Sequence, residues 1–171
     1  MLKVYLARAM TGRVKSEVLA EAQAANAVLV MHGLLPLDPV TQEGIEAVPE
    51  VIAAPEEHLR KFWQRDKEMI REAHIIFDMS PTMKSEGVAH EVGYARYFLW
   101  KPVVRVYSGT NIPPTNSVAR IEDDFLAGSL GEAIWYAKFR HGTRRQRLVW
   151  RIKLLARCFW KFLVYQIGEF K

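Results

Sequence analysis

Cysteine is nearly absent, with Cys158 the only one in 171 residues. One thiol forms no intrachain disulfide and builds no thiolate-rich metal site, so the chain suits a reducing compartment. Histidine is sparse and lacks ligand spacing. His90 stands in a helical segment, but four positions on, where a zinc helix motif needs a second imidazole, the residue is Tyr94. His32, His58, His74 and His141 are scattered, which suits structural or surface roles. No glycine-rich dinucleotide loop and no Walker loop is present, so neither a metal nor an organic cofactor is expected. Long apolar runs are missing too. The opening Met1-Leu2-Lys3-Val4-Tyr5 leads into a stretch too short for the core of a signal peptide, and reads as the first strand of a cytoplasmic protein.

What is present is a globular composition, half hydrophobic and a quarter charged, in a length that suits one compact domain with a tail. The expected division is residues 1–143 and 144–171. The tail holds Arg144, Arg145, Arg147, Arg151, Lys153, Arg157, Lys161 and Lys171 against Glu169, a net +7, so the total of +5 leaves −2 for the body. A slightly acidic body argues against a nucleic-acid-binding core, which needs a basic footprint on its folded face. In the tail, Leu154, Leu155, Phe159, Trp160, Phe162, Leu163 and Val164 form a basic amphipathic helix pattern, and Arg151, Lys153, Arg157 and Lys161 interrupt any transmembrane span. Three roles stay open for it: packing on the body or a sister subunit, lying on an anionic membrane surface, or contacting nucleic acid.

Along the body, strand and helix patterns alternate. Leu2 to Arg8 reads as a strand, Val14 to His32 as a helix ended by Gly33, and Leu34 to Leu37 as a strand broken by Asp38-Pro39. A loop to Pro55 precedes a helix to Ala73, with Glu56 and Glu57 in its first turn, and a strand at His74 to Met79. A helix from Gly87 to Trp100, a valine-rich strand from Pro102 to Tyr107, a short strand at Ser117 to Ile121 and a helix from Ser129 to Arg140 complete the reading. Residues 123–127 have no clear pattern. The order predicts an α/β fold of the flavodoxin-like or Rossmann-like kind, a parallel sheet with helices on both faces. Its ligand edge would gather the loops after Arg8, Met79 and Tyr107.

Three segments reach that edge: Tyr5 to Gly12, the helix carrying Asp66, and Ser85-Glu86-Gly87-Val88-Ala89-His90-Glu91-Val92-Gly93-Tyr94-Ala95. Gly87 is placed to open a helix whose bare N–H groups meet an anion, and Glu91 follows one turn later, where the positive helix end favours its ionised form. Cleavage at a glycosidic carbon passes through an oxocarbenium-like state, for which one carboxylate at the sugar and a second acid near the leaving group suffice. Asp66 is the candidate second acid. Phe62 and Trp63 share its helix face and suit either a planar base or the core. Asp78, at a strand end, suits either the site or a polar terminus.

These segments resemble the nucleoside 2-deoxyribosyltransferase-like family, and in pattern most nearly its 2′-deoxynucleoside 5′-monophosphate N-glycosidases. The resemblance runs from Leu2 to Tyr107, with weaker continuity to Lys138. It implies Glu91 as nucleophile, since a Glu-apolar-Gly-Tyr-Ala stretch follows a glycine four residues earlier, and it maps an aspartate of the family's helix-to-strand element onto Asp66. Tyr5 matches a first-strand tyrosine of the monophosphate hydrolases. Six residues before the nucleophile the transferases carry an aspartate for the sugar 5′-hydroxyl, whereas the hydrolases carry a serine, and Ser85 stands there. A carboxylate would repel a phosphate and a hydroxyl would not. The resemblance therefore implies a 5′-monophosphate substrate, with Arg8 and Arg13 as candidate phosphate cations. It also implies a serine supplied by a neighbouring subunit, for which Ser117 has the interval, and hence a homodimer or larger homo-oligomer. Arg8 and Ala9 depart from the Gly and Ser of the hydrolases, and Glu86 adds a negative charge beside the expected phosphate. Two rivals stay open, a deoxyribosyltransferase that exchanges bases and a nucleotide-sensing module without turnover.

Overall fold

The computed structural model describes residues 1–10, 12–43, 56–80, 85–107 and 125–141, and of His58 the backbone alone. The chain divides into two compact units, Met1–Ile134 and Trp135–Lys171. Among the described residues the elements are β1 (Leu2–Ala7), α1 (Lys15–Met31), β2 (Leu34–Leu37), α2 (Pro39–Glu43), α3 (Glu56–Glu72), β3 (Ile75–Asp78), α4 (Glu86–Gly93), a π-helical turn (Tyr94–Phe98), β4 (Val103–Val106), β5 (Phe125–Ala127) and α5 (Leu130–His141).

The five strands form one sheet in the order β2-β1-β3-β4-β5, all parallel. This is the flavodoxin-like order, in which the chain reverses its direction of travel between β1 and β3 and opens a crevice at their carboxyl ends. Residues of β1 alternate between the two faces of the sheet. Tyr5 and Ala7 join Met69, Ile70, Val88 and Ala95 in one core cluster, and Val4 and Leu6, also fully buried, take the opposite side. Each such buried aliphatic side chain contributes about 1.5–3 kcal/mol.

Helix ends follow local chemistry. Gly33, with φ +71°, closes α1, and its N–H donates to Val30 O at 2.8 Å. Gly12, with φ +78°, supplies the positive-φ corner of a turn closed by Arg13 N–H to Met10 O at 3.2 Å.

The strands at 2–7, 34–37, 75–78 and 103–106 agree with the sequence reading to within a residue or two at each end. Three features differ. Asp38-Pro39 ends β2 as read, but the loop expected beyond it begins with α2, because Asp38 caps that helix through Val40 N–H to Oδ1 at 3.0 Å and proline fits a first helical position. The fifth strand is Phe125–Ala127, in the stretch without a clear pattern. Three residues are too few to show periodicity, and pairing with Val104–Val106 of β4 defines them. The helix expected from Gly87 to Trp100 is α-helical only to Gly93 and then widens to the π-turn. Ser117, the strand expected around it, and the 144–171 tail lie outside the described residues. No described helix is long and apolar enough to cross a membrane.

Candidate active site

The carboxyl ends of β1, β2 and β3 bring together more acids than a core tolerates without cause. Glu91 is the most telling. On α4 and its continuation, Val88, Glu91, Val92 and Ala95 follow the three- and four-residue spacing of an inward stripe, with Val88, Glu91 and Ala95 buried. A carboxylate thus occupies a position where an aliphatic side chain would cost nothing. Asp66 on α3 has the same character, half-buried on the stripe that runs from Phe62 and Trp63 to Met69 and Ile70.

Glu91 is held well above the ordinary glutamate range. Burial is the main cause, repulsion from Asp66 adds to it, the Tyr5 hydroxyl opposes it, and Asp78 and Asp38 raise it further. The expectation that the helix end would keep Glu91 ionised is therefore corrected. Glu91 lies beyond the first turn, where the dipole fades, while desolvation and three neighbouring acids act in full. Tyr5, wholly buried, is likewise pushed up, first by burial and then by Glu91, Asp66 and Asp38. The Tyr5 hydroxyl and the Glu91 carboxyl face each other, yet neither Tyr5 Oη nor Glu91 Oε2 has a hydrogen-bond partner of regular geometry.

Ser85 is the N-cap of α4, its Oγ accepting from Val88 N at 3.4 Å. The helix therefore begins one residue before Gly87, with Ser85 as its cap. Accepting that bond leaves the hydroxyl proton available to donate outward. Among the described residues a Cβ at Gly87 would meet Ser85 Oγ alone, at 3.8 Å, an ordinary van der Waals contact.

Arg8 and Arg13 are placed differently from each other. Arg8 is buried and its Nη2 donates to Asp38 Oδ2 at 3.0 Å, because Arg8 and Asp38 are the first residues past the ends of the paired strands β1 and β2. Burial raises Asp38 even against this guanidinium. Arg13 stands nearer the surface, clasped by both carboxylate oxygens of Glu21 at 2.9 and 2.5 Å. Each guanidinium therefore already faces a carboxylate.

Asp38 and Arg105 were not singled out from sequence. Arg105 pairs with Asp78 across β3 and β4, its Nε 3.8 Å from Oδ2. Asp78 Oδ1 also accepts from Ser80 N at 3.0 Å, and Ser80 Oγ accepts from Ala9 N at 2.9 Å, tying the β1 and β3 loops together. The one signal available for them was position, a charged residue at or just past a buried strand end. Trp63 takes the core reading: it packs against the main cluster and meets Tyr94 edge-on at 5.7 Å.

Fold and site together define a class: a flavodoxin-like parallel sheet with a buried glutamate facing a buried tyrosine at its switch point. No family model and no curated protein matches the chain. Among solved structures it is similar to a 2-deoxyribosyltransferase from Bacillus psychrosaccharolyticus, at 22% identity and TM-score 0.57, over 77% of this chain and 90% of that one. A conserved protein from Enterococcus faecalis matches at 14% identity and TM-score 0.51, over 82% and 99%. The CMP N-glycosidase of Clostridium botulinum gives 12% and 0.47, over 81% and 98%. The first two likenesses show that the chain shares the α/β fold of those structures.

Proposed function

We propose that this protein is an enzyme that cleaves the N-glycosidic bond of a nucleoside 5′-monophosphate, with the deoxy form preferred, releasing free base and sugar 5-phosphate. The observation that carries the reading is Glu91, a buried carboxyl on an otherwise apolar helix stripe, next to Asp66 and Tyr5 at the switch point of the sheet. Once ionised, a Glu91 carboxylate oxygen attacks C1′ and forms a glycosyl ester. The bond from C1′ to the base nitrogen breaks, and the base leaves with the electron pair and takes up a proton that Asp66 is placed to relay. Water then attacks C1′, freeing the sugar phosphate and restoring Glu91. Tyr5 orients the carboxylate, and the Ser85 hydroxyl with the N–H groups around Gly87 receives the phosphate. Residues of this kind need neither metal nor organic cofactor. Ser117 from a neighbouring subunit would complete the pocket, which makes the working form a homo-oligomer, and a cytoplasmic setting matches the substrate.

One observation favours a second reading, base exchange between nucleosides. Arg8 and Arg13 are already paired with Asp38 and Glu21, which weakens their attraction for a phosphate. A panel of ribo- and deoxynucleosides and their monophosphates, with and without an acceptor base, separates the readings by chromatography. Free base from monophosphates alone supports hydrolysis, and a new nucleoside formed only with acceptor supports exchange. Tight nucleotide binding with no product, unchanged in Glu91→Gln, would replace both with a sensing module.

A further inference from the structure

The edge of the sheet opposite the site has a different surface. Met31 ends the helix that leads into β2, and Tyr97, Phe98 and Trp100 end the segment that leads into β4, so parallel topology puts all four at the amino-terminal edge of the strands. Met31 is 76% exposed, Phe98 75% and Trp100 87%. Four of the eight large hydrophobic side chains exposed among the described residues therefore lie at the end of the sheet remote from Glu91.

Trp100 is also strained. Its φ is +53°, and Lys101 N–H donates to Ala95 O at 3.0 Å, so Trp100 occupies the left-handed position of a helix-closing turn that glycine fills at least cost. A bulky side chain there costs about 1–2 kcal/mol. Among the described residues no burial offsets this, since the indole is 87% exposed. The charges around this edge are mainly basic. Lys3, Arg71 and Lys101 stand there against Glu72, with Lys3 paired to Glu72 and Lys101 holding the carbonyls of Arg71 and Ala73 at the end of α3. Tryptophan, tyrosine and phenylalanine beside lysine and arginine suit the headgroup layer of an anionic bilayer. A symmetric pairing of two copies through this edge would instead set like charges against each other.

We propose that the Trp100 edge is a membrane-surface anchor, seating Trp100, Phe98 and Tyr97 among anionic lipid headgroups and leaving the Glu91 crevice turned toward water.

The test uses the full chain and extruded vesicles, either neutral phosphatidylcholine or phosphatidylcholine with about a third phosphatidylserine, with partition measured by sedimentation. Binding to the anionic vesicles only, falling as salt rises, is expected. Trp100→Gly relieves the left-handed strain, so the variant should melt no lower than wild type, and with Phe98→Ser it should lower the partition coefficient about tenfold. Base release from soluble substrate should not change. Failure of the wild type to bind anionic vesicles would overturn the proposal. So would binding that the double variant leaves intact, which would locate it in other residues such as 144–171. Trp100-dependent self-association without lipid binding would make a second copy the occupant instead.

Discussion

Replacing Glu91 by glutamine should improve the fold while destroying the chemistry, and the two effects come from one cause. In the unfolded chain the carboxyl titrates near its ordinary value of about 4.3. In the folded protein burial, Asp66, Asp78 and Asp38 raise it well above that. Between the two values the folded state holds a proton that the unfolded state has lost, so stability falls as pH rises through that window. Below about pH 4.3 both states are protonated and no penalty remains. Glutamine keeps the shape, does not titrate and can still meet the Tyr5 hydroxyl. Relief of such a site is commonly worth about 0.5–2 kcal/mol, and a domain of this size gains roughly 2–4 °C per kcal/mol. The variant should therefore melt about 1–8 °C above wild type at pH 8, with the gap closing toward pH 4. Thermal melts followed by circular dichroism across that range measure it. Base release should fall by about three orders of magnitude or more in the same preparation. A variant that melts below wild type at pH 8, or a gap that does not change with pH, would refute the electrostatic reasoning.

Wild-type kcat/KM should show an acidic limb displaced above the ordinary glutamate range, because Glu91 must ionise to attack; a limb at or below that range would mean another group controls the rate. Ser85→Asp keeps a good N-cap for α4, so the fold should persist while monophosphates lose far more kcat/KM than nucleosides, and equal losses would remove the phosphate from Ser85. Asp38→Ala leaves Arg8 buried without its carboxylate and removes the α2 cap, so urea denaturation should show a loss of about 3–5 kcal/mol, and a loss under about 1 kcal/mol would show that Arg8 finds other partners. Deleting residues 144–171 should preserve turnover of soluble substrate, since every proposed catalytic group precedes residue 118, and loss of activity in a folded truncation would place part of the site in the tail.

The sequence alone determined the parallel α/β architecture. Its apolar runs at 2–7, 75–78 and 103–106 are buried on both sides, and glycine and proline punctuate them where helices must end. It also singled out Glu91 and Asp66 as candidates, Glu91 by its place one turn after Gly87 and both by the family resemblance, whereas their burial on helix stripes is seen only in the structure. Tertiary structure decided what those acids experience. Strand order put Ala7 beside Asp78 and Asp78 beside Arg105, and joined Arg8 to Asp38 across thirty residues. The upward pull on Glu91 followed from that assembly: helix position alone favours the ionised form, and burial among converging carboxylates works against it. The π-turn and the exposed, left-handed Trp100 were equally out of reach of periodicity, since both depend on how α4 ends against Lys101 and the close of α3, contacts that no local pattern encodes.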